Sequence, residues 1–151
     1  MPTEPDKLEF PITPNFSPEV TIEIIGASAN KKVVATVDTG FTDFLQIPLS
    51  IGIASNLRLW GTQNYILADG SRVKNLQCVG EISFAGKKMF NIITLSETAD
   101  DCLLGMQFLN KLEMDFTVST KDKKAIFIER SIVSPPSNPE PASPVPPSNT
   151  V

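Results

Sequence analysis

The sequence predicts an all-β domain, a barrel or a sandwich, between two proline-rich ends. Short runs rich in β-branched and aromatic residues alternate with turn signals along the middle of the chain. Of the thirteen prolines, five lie in residues 1–18, seven lie in residues 135–147, and only Pro48 falls between them. We therefore expect an N-terminal extension over 1–18, one folded domain over 19–133, and a disordered tail over 134–151 that buries too little apolar surface to fold.

Turn signals separate the predicted strands. In chain order, these strands cover residues 20–25, 32–38, 44–47, 63–68, 71–84, 89–95, 113–118 and 124–129, and a short strand-like run over 102–105 precedes the last two. Asp69-Gly70 stands between two β-rich arms and indicates a tight hairpin. One short helix is expected over 48–56, because a proline at its start costs no hydrogen bond. A second is expected over 106–112, where apolar residues recur every three positions.

Composition excludes several kinds of chemistry. The chain has no histidine, so it can build neither a Ser-His-Asp or Cys-His nucleophile nor a His-ligated metal site. Its thirteen Lys and Arg residues are scattered among seventeen acids, which argues against nucleic-acid binding. Cys78 and Cys102 are expected to be buried, reduced thiols. We expect no metal and no organic cofactor, and we predict a cytoplasmic protein without membrane contact from the absence of a signal sequence and of a long apolar run.

Water activated by carboxylates is the hydrolytic chemistry that remains, and one tripeptide is suited to it. Asp38-Thr39-Gly40 follows the apolar run 33–37 directly, so it is expected at the end of a buried strand. Hydrolysis without a covalent intermediate needs one carboxylate to deprotonate a water and one carboxylic acid to polarise the carbonyl; two aspartates that share a proton supply both. Because the chain holds one Asp-Thr-Gly, it can form such a pair only with a second copy of itself across a two-fold axis.

Asp38-Thr39-Gly40, Leu67-Ala68-Asp69-Gly70 and Leu103-Leu104-Gly105 follow one another along the chain. Three motifs in this order resemble the retropepsin-like aspartic proteases, the single-domain relatives of pepsin. Val37–Thr42 corresponds to the family's catalytic loop, and the turn of its flap hairpin matches Leu67-Ala68-Asp69-Gly70, whose glycine lies 32 residues after Asp38. Leu103-Leu104-Gly105 resembles the family's second hallmark, 35 residues further on. The resemblance covers about residues 19–130, and in detail it looks like a bacterial, largely cyanobacterial branch. It implies a closed acid-protease barrel with one or two short helices, the single-domain subunit of a homodimer.

The resemblance also assigns roles to the motif residues. Asp38 is the catalytic acid. Thr39 supports the loop by a hydroxyl bond across the two-fold axis, and Gly40 by a tight turn that brings its N–H near the carboxylate. Gly105 lets two backbones approach beneath the loop, next to apolar Leu103 and Leu104. The residues expected to bind substrate in the cleft and flap are Phe41, Thr42, Asp43, Leu67, Ala68, Asp69 and Gly70.

The expected activity is that of a homodimeric aspartic endopeptidase that acts on an extended peptide or protein substrate. Two other interpretations stay open. Phe41 is bulky where the family usually has Ala or Ser, which favours a catalytically silent peptide-binding or dimerisation module on the same fold. A bare β-barrel adaptor tethered by its proline-rich tail predicts a monomer. Tyr65 and Trp60, the only Tyr and Trp of the chain, are expected to pack or to line a pocket.

Overall fold

The computed structural model describes residues 6–130, which form ten strands and two short helices. The strands are β1 (Lys7–Pro11), β2 (Glu19–Ile25), β3 (Asn30–Val37), β4 (Leu45–Pro48), β5 (Arg58–Ile66), β6 (Arg72–Phe84), β7 (Lys87–Ser96), β8 (Cys102–Leu104), β9 (Met114–Ser119) and β10 (Lys124–Glu129). The helices are α1 (Leu49–Ala54) and α2 (Met106–Leu112). Within this part of the chain, neither helix is long and apolar enough to cross a bilayer. The predicted tail over 134–151 lies outside the described residues.

Six strands close into a barrel, which confirms the all-β prediction. Their order is β2-β3-β8-β4-β7-β6, and β6 pairs back with β2 to complete the circle. The thirteen residues of β6 are long enough for two neighbours on one edge, because its first part pairs with β5 and its last part with β2. Strand β5 therefore stands outside the closed barrel as an additional arm. Alternate residues face inward, and the buried aliphatic side chains of the barrel include Ile22, Ile24, Val37, Leu45, Ile47, Ile82, Ile93 and Leu104.

Aromatic rings join the barrel to the elements around it. Phe84 of β6 is buried, and its ring centroid lies 5.5 Å from the ring of Phe108 on α2 and 5.5 Å from that of Phe127 on β10. These separations are typical of favourable aromatic pairs. Burying each ring contributes roughly 1.5–3 kcal/mol. The cluster therefore fixes α2 and β10 against one end of the barrel.

A second sheet of three strands, in the order β1-β10-β9, contains a strand that the proline boundary did not indicate. β1 lies within residues 1–18, which the sequence analysis assigned to an extension outside the domain. It runs antiparallel to β10, and its half-buried Phe10 has its ring 5.6 Å from Phe84 and 5.7 Å from Phe127. Pro11 is tolerated because it ends a strand at the edge of the sheet. Proline density therefore does not show where the folded unit begins.

Element boundaries also differ from the sequence expectation in two places, after α2 and in strand β5. The sequence placed Glu113 in a strand, whereas it follows α2 in the left-handed conformation, with φ of 60°, and its N–H donates to the Asn110 carbonyl at 3.2 Å. Strand β5 begins at Arg58 and contains a bulge between Leu59 and Gly61. The bulge interrupts the alternation of side chains, which is why the sequence pattern showed only the second part of this strand.

Candidate active site

Asp38 is the first residue after β3, at the point where β8 runs parallel to it. Val37 pairs with Leu104, and the N–H of Asp38 donates to the Leu104 carbonyl at 2.9 Å. The side chain bends back on its own loop, because the N–H of Gly40 donates to Asp38 Oδ1 at 2.9 Å. Within residues 6–130, Oδ1 is the one carboxylate oxygen of Asp38 that accepts a hydrogen bond. One oxygen is thus held by the backbone while the half-buried carboxylate keeps the other for a further partner.

The segment that follows, which we call the Asp38 loop (residues 38–44), caps helix α2. The first amides of a helix have no partner within the helix, and no side chain caps α2. The loop carbonyls take that place: the N–H of Met106 donates to the Phe41 carbonyl at 2.8 Å, and the N–H of Gln107 lies 3.3 Å from the carbonyls of Thr42 and Asp43. The position of the loop is therefore fixed by the start of the helix.

Gly105 lies at the closest approach between the loop and the helix. A Cβ atom at this position would lie 2.1 Å from the carbonyl oxygen of Asp43 and 2.6 Å from that of Phe41. The φ of Gly105 is −100°, a value that any residue adopts, so the position requires the absence of a side chain rather than a special backbone conformation. The Phe41 ring also packs here, with Cδ1 2.7 Å from the same Cβ position. The backbones of the Asp38 loop and of the start of α2 thus approach each other closely at Gly105.

The predicted hairpin forms from β5 and β6, joined by a turn over residues 67–71. The N–H of Leu67 donates to the Ser71 carbonyl at 2.8 Å, and Gly70 has φ of 81°, the left-handed region that favours glycine. Asp69 Oδ1 accepts from the Ser71 hydroxyl at 2.6 Å and from the Ser71 N–H at 2.8 Å, and the hydroxyl bond is the main cause of the lowered pKa of Asp69. Leu67, Ala68, Asp69 and Gly70 are all exposed. The turn is well ordered by its own hydrogen bonds.

A single side-chain bond joins this hairpin to the Asp38 loop. The Tyr65 hydroxyl, on β5, donates to Asp43 Oδ2 at 2.6 Å and lies 3.1 Å from Thr94 Oγ1 on β7. Burial raises the pKa of Tyr65 to about 12, and the hydrogen bond to Asp43 adds to the shift. The sequence predicted that Tyr65 and Trp60 pack or line a pocket; Trp60 is 64% exposed, and Tyr65 connects the hairpin to the Asp38 loop. No local pattern could indicate a bond between residues 22 positions apart.

The structure therefore gathers most of the predicted motif residues in one region. Backbone bonds hold Asp38, Phe41, Thr42 and Asp43 to β8 and α2, and Tyr65 attaches the hairpin whose exposed turn contains residues 67–70. Thr39 is exposed and lines an open groove of about 440 Å³ together with apolar residues of α2 and β9. In the part of the chain that the structure describes, no group of three or more Cys, Asp or Glu side chains lies close enough to hold a metal ion.

Comparison with known proteins bears on the fold. A crystal structure of a retropepsin-like aspartic protease from Rickettsia conorii superimposes on this chain with a TM-score of 0.60 and 18% sequence identity, over 85% of this chain and 95% of that chain. No family model matches the sequence, and no curated protein matches it. The likeness at this identity concerns the fold alone. This chain therefore has the retropepsin-like acid-protease fold, a closed six-stranded barrel with two short helices.

Proposed function

We propose that this chain is an aspartic endopeptidase that hydrolyses peptide bonds as a homodimer. The observation that carries the proposal is the setting of Asp38, which ends a barrel strand, has one oxygen held by the Gly40 N–H, and lies in a loop fixed on α2. In the dimer, a water between the two Asp38 carboxyl groups is deprotonated by one of them while the other, protonated, polarises the scissile carbonyl. The two carboxyl groups of the pair share one proton.

Apolar surface beside the Asp38 loop supports a two-fold contact through this face. Met106 is 45% exposed, and half-buried Met114 and Phe116 line the groove that reaches Thr39, next to the ion pair of Asp115 and Arg130. Exposed apolar side chains are found at protein interfaces. An isologous contact at this face pairs each Asp38 with its copy and brings each Thr39 near the axis.

The packing of Phe41 supports turnover over the catalytically silent alternative. The bulk of this side chain was the reason to consider a silent module. Its ring is half-buried against Gly105, on the helix side of the loop, where the missing Cβ makes space for it. A cytoplasmic location and a place in the bacterial, largely cyanobacterial branch of the family stay predictions.

The test is a cleavage assay with two matched variants of the full chain. Asp38→Asn removes the proposed catalytic carboxylate at constant shape, and Asp100→Asn makes the same change at an exposed loop residue that is not among the predicted site residues. A peptide library is incubated from about pH 3 to about pH 8, a range that spans ordinary carboxylate pKa values, with a statine-type inhibitor as control. We expect Asp38→Asn to lose at least about a hundredfold in activity, because acid–base catalysis contributes that much or more. Asp100→Asn should keep wild-type activity.

Sedimentation of the same samples separates the alternatives. A dimeric Asp38→Asn variant without activity supports the proposal, and retained cleavage by that variant refutes it. A dimeric wild-type protein without inhibitable cleavage at any pH identifies the silent module. A stable monomer identifies the adaptor, because one chain supplies only one of the two carboxylates.

A further inference from the structure

We propose that Tyr65 and Asp43 form a latch that holds the first arm of the β5–β6 hairpin to the Asp38 loop, so that only the tip over residues 66–72 moves as a lid. Tyr65 and Asp43 are then positioning residues. The lid role of the tip rests on the proposed peptidase function. The latch does not, because it follows from the fold and from the hydrogen bonds alone.

The pairing of the strands shows why the hairpin needs a latch. Strand β7 pairs with β6 only from Leu76 onward, and within the described residues β5 pairs with β6 alone. Residues 63–66 and 72–75 consequently pair only with each other. Asn75 is the one buried residue of this segment, and a two-stranded hairpin by itself is marginally stable in water. A side-chain bond from this region to the barrel therefore decides how far the arm can leave it.

Tyr65 provides that bond near the end of the paired region of the hairpin. It lies opposite Val73, one residue before the end of β5, and its hydroxyl reaches Asp43 Oδ2 at 2.6 Å. This length is typical of a hydroxyl that donates to a carboxylate, and such bonds are about twice as strong as neutral ones. Thr94, which is buried, places its hydroxyl 3.1 Å from the same oxygen of Tyr65. The hydroxyl of Tyr65 thus contacts both Asp43 in the Asp38 loop and Thr94 on β7.

The other side of the latch is rigid. The carbonyl of Asp43 accepts a hydrogen bond from Gln107 on α2, and it lies against Gly105 where no side chain fits. Asp43 therefore cannot follow the hairpin outward. Because one of its carboxylate oxygens is taken by Tyr65, we assign Asp43 to holding the hairpin rather than to binding a basic substrate side chain.

Beyond the latch, the hairpin has the features of a small lid. Ile66 is 71% exposed and Leu67 is 47% exposed, so the tip carries apolar side chains that nothing in the described residues covers. From Tyr65 to the turn the chain reaches roughly 10 Å, about twice the spacing of paired strands. A tip of this reach covers one extended peptide chain, whose backbone pairs with the hairpin edge.

Hydrogen exchange of the full chain tests the latch without reference to any activity. Tyr65→Phe removes only the hydroxyl, and Asp43→Ala removes the acceptor, whereas Asp43→Asn keeps an uncharged acceptor. We expect exchange of the amides in 62–66 and 72–75 to rise about tenfold in Tyr65→Phe, because the bond lost is to a charged group. Asp43→Ala should give the same rise in exchange. The double variant Tyr65→Phe/Asp43→Ala should show no further rise, and Asp43→Asn should show a smaller one. Asp100→Ala is the matched control and should leave exchange unchanged.

The alternatives give different patterns. Exchange at wild-type rates in Tyr65→Phe overturns the latch. A rise of equal size in the barrel strands β3 and β7 also overturns it, because the hydroxyl would then support the whole fold. Where cleavage is detected, Tyr65→Phe should raise KM severalfold with kcat nearly unchanged. The reason is that a loosened hairpin weakens binding of the substrate in the ground state and in the transition state by the same free energy. An unchanged KM would refute the lid role of the tip. The hydrogen-exchange rates alone would then decide whether the latch exists.

Discussion

Replacement of Gly105 by alanine tests how the Asp38 loop is held. The change adds one methyl group to a helix start that has ordinary backbone angles. That methyl carbon would lie 2.1 Å from the carbonyl oxygen of Asp43 and 2.6 Å from that of Phe41. Both obstacles are backbone atoms, which cannot rotate away as the end of a flexible side chain can. The loop must therefore move off the helix, and Asp38 moves with it.

The free energy of unfolding should fall by about 2 to 3 kcal/mol. Forcing an extra methyl group into a packed site typically costs about 1–3 kcal/mol. The displaced loop also loses the 2.8 Å bond between the Met106 N–H and the Phe41 carbonyl, a loss of about 0.5–1.5 kcal/mol. Alanine restricts the unfolded chain more than glycine and returns about 0.4–1 kcal/mol. For a domain of this size the net change lowers the melting temperature by roughly 10 °C.

Denaturant unfolding of the wild type and two alanine variants measures this difference. Gly61→Ala is the matched control, because no atom of residues 6–130 lies within 4 Å of its Cβ position and its φ is not in the left-handed region. Its stability should stay within about 1 kcal/mol of the wild type. Gly105→Ala at wild-type stability would refute the argument that close approach selects glycine here. An equal loss in both variants would show a general intolerance of alanine instead.

Two further predictions concern ionisable groups. Lys124 and Lys7 hold the pKa of Glu9 at about 2, below its usual 4.5, so its stabilising effect is complete above about pH 4.5 and is lost as the pH falls toward about 2. Denaturant unfolding at low salt should show this loss in the wild type but not in Glu9→Gln, and parallel stability profiles would contradict it. Tyr65, the only tyrosine, should titrate by absorbance near pH 12, and Asp43→Asn should lower that pKa part of the way toward 10. Because the folded pKa of Tyr65 is the higher one, stability should fall as the pH rises from about 10 to about 12; a midpoint near 10 in the folded protein would contradict the burial of this hydroxyl.

The parts of the fold that local chemistry determines were predictable from the sequence. Asp69-Gly70 indicated the hairpin because the turn needs a residue with positive φ, and Gly70 has it. Alternating apolar residues indicated most of the strands because one side of each faces a core. The spacing of apolar residues after Gly105 indicated α2, and two of these residues, Leu109 and Leu112, are buried in the core while Met106 is 45% exposed. In each case the cause lies within a few residues of the effect.

The rest depends on residues far apart in the sequence. Closure of the barrel through β2 and β6 pairs Ile24 with Ile82, and the sequence of neither strand indicates that the other is its partner. The bond from Tyr65 to Asp43 has the same character, as does the place of the Phe41 ring against Gly105. Glu113 takes a left-handed conformation that sequence rules reserve for Gly or Asn, because β9 must begin at the next residue.

The pairing of β1 with β10 sets an order for folding. Glu9 and Lys124, which lie 115 positions apart, form an ion pair across these two strands. During synthesis β1 leaves the ribosome before β10, and Phe10 then has neither the ring of Phe127 nor the strand to which Phe127 belongs. Such distant pairings also form slowly, because the entropy of closing the long intervening loop is lost before the contacts contribute to stability. We therefore expect the barrel to assemble before β1 joins it, although β1 is synthesised well before its partner β10.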